Sequence, residues 1–163
     1  MMIFVTVGLF YWKFDRLIKK MDEIAGKIDE EVIMQIGTTQ YKPKHAKYFE
    51  FIDNEGMTEL LNTARIIVSH SGAGTILDLI RLKRPFIAVP RLKIFNEHID
   101  DQQIELAEVV SESYNIVSIY DIENLENALI NFNPSPITSP RKNLDIKIFL
   151  KGAIAEFQNE IVR

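Results

Sequence analysis

Ile66-Ile67-Val68-Ser69-His70-Ser71-Gly72-Ala73-Gly74-Thr75 is an apolar, β-branched run that turns through small residues into a helical pattern over 76–83. A strand that passes this way into a helix presents backbone N–H groups and the positive end of a helix dipole to whatever lies in front of it. The segment therefore predicts an anion site, with phosphate the natural occupant. Gly72 and Gly74 remove Cβ atoms where a ligand approaches the backbone, and Ser71 and Thr75 add hydroxyl donors. Asp78 stands four residues past Gly74, one turn further along the same helix face, where a carboxylate accepts hydrogen bonds from a ribose diol. The same residues also fit a plain helix start with Ser71 as N-cap and glycines chosen for tight packing of strand on helix.

Outward from this turn, short apolar runs alternate with helix-period segments, the pattern of βα units around a parallel sheet. The spacing predicts strands over 3–7, 32–36, 48–52, 66–69, 86–89 and 116–119, and helices over 14–27, 57–63, 72–83, 99–111 and 122–131. The fold class is α/β: a Rossmann-like, doubly wound parallel sheet. Pro134, Pro136 and Pro140 exclude regular helix and predict an extended crossing. Beyond them Ile146, Phe149, Leu150, Ala153, Phe157 and Ile161 recur at helical spacing. The expected organisation is a domain over 1–133, a proline-rich linker over 134–142 and a C-terminal amphipathic helix over 143–163.

At 163 residues and 47% hydrophobic content, the chain is sized for one domain with a real core. A net charge of −4, with both signs spread along the chain, gives no electrostatic support for binding nucleic acid. The absence of cysteine excludes disulfides and thiolate metal sites and fits a reducing compartment. The apolar start, Met1 to Gly8, is too short for a signal peptide or a membrane span and reads as a buried first strand, so a cytoplasmic location is expected.

In open sheets of this kind ligands bind beyond the carboxyl ends of the strands. The loops there carry Gly8 with Leu9-Phe10-Tyr11-Trp12, then Gly37-Thr38-Thr39, then Phe51-Ile52-Asp53, then the glycine turn, then Pro90 leading to Asn96-Glu97-His98-Ile99-Asp100-Asp101-Gln102-Gln103. All five are expected to face one crevice. Gln102 and Gln103 bear amides that both donate and accept, which suits sugar hydroxyls, and they equally fit a solvated helix start. His98 reads either as a ligand contact or as a residue that orders its loop, and His70 as a packing histidine. Gly72-x-Gly74 is only a fragment of a dinucleotide fingerprint, with Leu77 where a third glycine belongs, so a nicotinamide enzyme is not expected. The acidic residues near His98 lack helical ligand spacing, and no metal site is expected.

Val5-Thr6-Val7-Gly8, Phe14-Asp15-Arg16-Leu17, the Ser69 to Thr75 turn, Pro85 to Pro90, and Glu97 to Gln103 with Glu105-Leu106-Ala107 together resemble the C-terminal domain of glycosyltransferase family 28. The likeness is strongest to the soluble halves of its two-part members, among them dolichol-pathway N-acetylglucosamine transferases and bacterial capsule or exopolysaccharide counterparts. The resemblance implies one lobe of a GT-B glycosyltransferase, the half that binds a UDP-sugar donor. By that resemblance Phe51 and Ile52 meet the uracil, and the Gly8 loop with Ser71, Gly72, Ala73, Gly74 and Thr75 holds the diphosphate. Asp78 takes the ribose, and Gln102 and Gln103 the donor sugar. Family members commonly follow the first-loop glycine with Thr or Ser, where this chain has Leu9. Arg91 or Lys93 is placed to assist a leaving diphosphate, and Arg81, Lys83, Arg84, Arg91 and Lys93 together also fit a solvated face or attraction to anionic lipid. No catalytic base is assigned beyond His98 as a candidate.

The implied activity is that of the donor-binding catalytic subunit of an inverting UDP-sugar glycosyltransferase acting on a lipid-linked acceptor in surface polysaccharide or glycolipid synthesis. A membrane-associated, acceptor-binding partner subunit completes it and recruits it to the cytosolic membrane face. No cofactor is expected besides the donor substrate. Glucuronic acid, galactose and N-acetylglucosamine all fit as the transferred sugar. The alternative is a non-catalytic activator of a partner glycosyltransferase, a reading that Leu9 favours and that Asp78, Gln102 and Gln103 oppose.

Overall fold

Alternation inside the apolar runs explains the architecture. In a strand buried on both faces, successive side chains point to opposite layers and both sets must be apolar. Ile3, Val5 and Val7 enter one core with Val32, Met34, Val68 and Ile87, while Phe4 enters the other with Ile67, Phe86 and Ala88. A computed structural model of the chain describes residues 1–114 and 116–137. It has six parallel strands, β1 (Met2–Thr6), β2 (Glu31–Gln35), β3 (Lys47–Phe49), β4 (Ile66–His70), β5 (Phe86–Val89) and β6 (Val117–Ser118), in the order β3-β2-β1-β4-β5-β6.

Helices α1 (Asp15–Ala25) and α5 (Leu125–Ile130) cover the first core, and α2 (Asn54–Thr63), α3 (Ala73–Arg81) and α4 (Gln102–Tyr114) cover the second. The strand order reverses between β1 and β4, so the loops leaving these two strands diverge to opposite faces and open a crevice between them.

Several element boundaries differ from the expected ones, each for a local reason. The third strand stops at Phe49 because Glu50 turns out, its carbonyl accepting from Gly37 N at 3.0 Å and Gln35 Nε2 at 3.2 Å. Helix α2 starts three residues early because the Asp53 carboxylate caps it, accepting from Gly56 N at 2.8 Å. Helix α4 starts only at Gln102, whose N–H donates to Asp100 Oδ1 at 3.1 Å. The helix expected over 122–131 is a 3-10 turn, Ile122–Asn124, followed by α5.

After α5 the chain changes sides. Phe132 packs on the first core, and Ile137, 6% exposed, lies in the second. The helix expected over 143–163 and the rest of the proline segment lie outside the described residues. Among those described, no helix is long and apolar enough to cross a membrane.

Candidate functional site

The turn after β1 is fixed by one buried amide. Gln35, at the end of β2, accepts from Thr6 Oγ1 at 2.7 Å and Val7 N at 3.2 Å, and its Nε2 donates to the carbonyls of Gly8 at 2.8 Å and Glu50 at 3.2 Å. With both its donor and its acceptor groups engaged, the amide holds Gly8 at a φ of +76°. This presses Gly8 against the ring of His70 at the end of β4: a Cβ there would lie 2.3 Å from His70 Cε1.

Across the switch point, α3 begins with Gly72 at the N-cap position and no side chain capping it. Ser71 is not the cap; its Oγ is buried and has no hydrogen-bond partner among the described residues. No side-chain oxygen of the cap residue thus offsets the positive end of this helix. A Cβ on Gly74 would meet no atom within 4 Å, so close strand-to-helix packing is not what requires this glycine.

Between these turns lies a cavity of about 270 Å³ lined by Leu9, Phe10, Trp12, His70, Gly74, Thr75, Asp78, Arg91, His98 and Gln103. Arg91 follows β5 and is 1% exposed. Its guanidinium donates to the carbonyls of Val7 at 2.8 Å and Trp12 at 3.0 Å and lies over the Phe14 ring, while its backbone N–H donates to Gln103 Oε1 at 3.0 Å. Arg91 is thus buried at the crevice, whereas Arg81, Lys83 and Lys93 are exposed.

The loop beyond it is clamped by Arg16. That guanidinium grips the Glu97 carboxylate through Nε and Nη2, both at 2.9 Å, and also reaches Pro90 O at 2.9 Å; Glu97 in turn accepts from Leu92 N at 3.0 Å. His98, held by this loop, places Nδ1 2.9 Å from Asp100 Oδ1 and its ring against Trp12, centroids 5.8 Å apart. A carboxylate only accepts, so this contact puts the Nδ1 proton toward Asp100.

The loops after β2 and β3 do not line the cavity, contrary to the expectation of one five-loop crevice. The loop after β2 braces it instead: Thr38 Oγ1 donates to Tyr11 O at 2.6 Å, and Thr39 Oγ1 accepts from Phe14 N at 3.2 Å. Phe51, 50% exposed, and Ile52 lie outside the lining, as does Gln102. Gly74, Thr75, Asp78, His98 and Gln103 are brought together by the fold, with Gly72 and Ala73 at the helix start behind them.

His70 and Arg91 complete the wall. Arg91 is one of the two cations expected to assist a leaving diphosphate, whereas His70, at the end of the buried β4, is expected only to pack.

His70 is 4% exposed, and its Nδ1 has no partner among the described residues. Burial first, then the Arg91 charge, push it well below the usual histidine range, so the ring is neutral. The unfolded chain takes up a proton near pH 6.5 that folded His70 refuses. Its contribution to stability is therefore whole above that pH and is lost as the pH falls toward the depressed folded value. Urea midpoints measured from pH 7.5 down to 5 are expected to fall more steeply for the wild type than for His70→Asn; equal slopes would show that His70 is not buried neutral.

The profile of the glycosyltransferase family 28 C-terminal domain matches residues 2–152. The chain belongs to this family. It is 23% identical over 90 residues to the UDP-N-acetylglucosamine transferase subunit ALG13 of Debaryomyces hansenii, a match covering 55% of this chain and 42% of the relative.

The family 28 domain is also 31% identical over 101 residues to the UDP-N-acetylglucosamine--N-acetylmuramyl-(pentapeptide) pyrophosphoryl-undecaprenol N-acetylglucosamine transferase of Prochlorococcus marinus, covering 62% of this chain and 27% of that one. The crystal structure of Acinetobacter baumannii MurG superposes with a TM-score of 0.55 at 14% identity, over 77% of this chain and 40% of that one. The fold is therefore the Rossmann-like lobe of a GT-B glycosyltransferase. The chain spans less than half the length of each of these relatives.

Proposed function

We propose that this family 28 domain binds a UDP-sugar and acts as the donor half of an inverting glycosyltransferase. The observation that carries the reading is the cavity at the β1/β4 switch point, where the start of α3 with glycine at its N-cap, the buried Arg91 and Asp78 come together. Developing negative charge on a leaving diphosphate is the main electrostatic demand of such a transfer. A helix N-terminus and a buried guanidinium answer it without reorganising. In the reaction an acceptor hydroxyl attacks the anomeric carbon, the bond from that carbon to the diphosphate breaks, and the hydroxyl proton passes to a base.

In this reading Asp78 accepts from the ribose and Gln103, with Gln102 beside it, meets the sugar. Half-exposed Phe51 and neighbouring Ile52 form an apolar platform for the uracil beyond the cavity. His98, oriented by Asp100, is the candidate for the base. A membrane-associated partner supplies the lipid-linked acceptor at the cytosolic face, in surface polysaccharide or glycolipid synthesis. The yeast relative's designation as a subunit supports the need for a partner.

Calorimetric titration with UDP, ADP and GDP tests the proposal. UDP is expected to bind more tightly than the other two, and Asp78→Ala to weaken it by roughly 1–3 kcal/mol, the range for losing a hydrogen bond to a charged group. Equal affinity for the three diphosphates would remove the uracil assignment. Failure of any to bind would favour the rival reading, an activator lobe that enhances a partner glycosyltransferase without holding donor.

A further inference from the structure

The loop after β1 carries a feature that family membership does not account for. Phe10, Tyr11, Trp12 and His98 form a run of ring contacts, with centroids 4.5, 5.2 and 5.8 Å apart in sequence along it. The run is anchored at several points: Arg91 holds Trp12 O, Thr38 holds Tyr11 O, and Asp100 holds the His98 ring. In this fixed setting the indole Nε1 is buried and has no hydrogen-bond partner among the described residues, although Trp12 lines the cavity. A buried N–H without an acceptor is destabilising and is rare in native proteins.

Indole only donates, so what satisfies it must be an acceptor. Ser71 Oγ, at the start of α3, is likewise buried without a partner among the described residues and can donate as well. The α3 terminus and the Arg91 guanidinium give the cavity positive potential, and among the described residues Asp78 is the one carboxylate lining it. The acceptor that suits Trp12 is therefore an anionic oxygen.

We infer that the Trp12 indole N–H donates a hydrogen bond to the diphosphate of the bound nucleotide, making Trp12 a donor-binding residue opposite α3. The inference rests on the proposed nucleotide site. It gives the first loop a polar contact despite Leu9, which is 69% exposed at the mouth and offers no hydroxyl.

Trp12 is the chain's single tryptophan, so one indole N–H resonance reports on it directly. On titration of the ¹⁵N-labelled chain with UDP, that resonance is expected to move downfield together with the backbone amides of α3, and uridine is expected to leave it in place. Trp12→Phe, which keeps a ring and removes the N–H, is expected to weaken UDP about tenfold and leave the α3 amides responsive. If UDP shifts the α3 amides but leaves the indole unmoved, or if uridine alone moves it, the role of Trp12 is overturned while the nucleotide site stands. If UDP moves neither, both fall. The wild-type titration decides the matter even where the variant folds poorly.

Discussion

Gly74→Val is expected to abolish UDP binding, by at least a hundredfold (about 2.7 kcal/mol), while the domain melts as the wild type does. The two halves of this expectation have separate physical grounds. A Cβ at Gly74 meets no protein atom within 4 Å, and the residue is exposed in the first turn of α3, so added methyls displace nothing in the core. Replacing glycine in a helix also removes a conformational penalty of roughly 0.5–1 kcal/mol relative to alanine, which a β-branched residue partly retains. The space those methyls would take is, however, cavity space, at the helix end where an anion must come within hydrogen-bonding distance of the backbone. Calorimetry with UDP, paired with a circular-dichroism melt, checks both halves. Undiminished binding would mean that the ligand does not approach this turn, and a lowered melting temperature would mean that the glycine serves packing after all.

The pair of turns was legible in the sequence to different depths. Strand-to-helix passage through Ser71 to Thr75 could be read because β-branched runs and helical periodicity are local signals, and β4 and β5 begin at the expected residues. The start of α4 could not be placed from periodicity, since Ile99 continues the apolar pattern while the Asp100 carboxylate takes the Gln102 N–H and fixes the start there. Local signals also mislead about which loops meet. Thr38 and Thr39 follow a strand end as Trp12 does, yet their hydroxyls point to the backbone of the first loop and support it from behind.

The burial of Arg91 was beyond sequence reasoning for a related reason. An arginine beside Lys93 reads as surface, and only the convergence of Val7 O, Trp12 O and the Phe14 ring, from segments more than seventy residues away, makes a site for its guanidinium. Non-local acceptors of this kind leave no periodic trace.

Gly8 is where that non-local construction can be tested most severely. Gly8→Ala is expected to destabilise the domain by about 3 kcal/mol, combining roughly 1–2 kcal/mol for a non-glycine residue in the left-handed region with a further 1–3 kcal/mol for overpacking. At a φ of +76° the added Cβ would lie 2.3 Å from His70 Cε1 and 2.5 Å from Nε2, and one of the two must move. The imidazole has little room to do so: His70 ends the fully buried β4, with Ser69 and Ser71 also buried on either side. Gly8 cannot withdraw cheaply either, because its carbonyl and N–H are both engaged, by Gln35 Nε2 and Thr6 Oγ1. The double variant Gly8→Ala/His70→Ala separates the two terms, since shrinking His70 relieves the clash and leaves the backbone strain. Urea unfolding of the single and double variants is expected to show Gly8→Ala costing less in the His70→Ala background than in the wild type. Strict additivity of the two substitutions would mean that strain alone requires the glycine, and that the contact between the β1 turn and the end of β4 does not hold the crevice in shape.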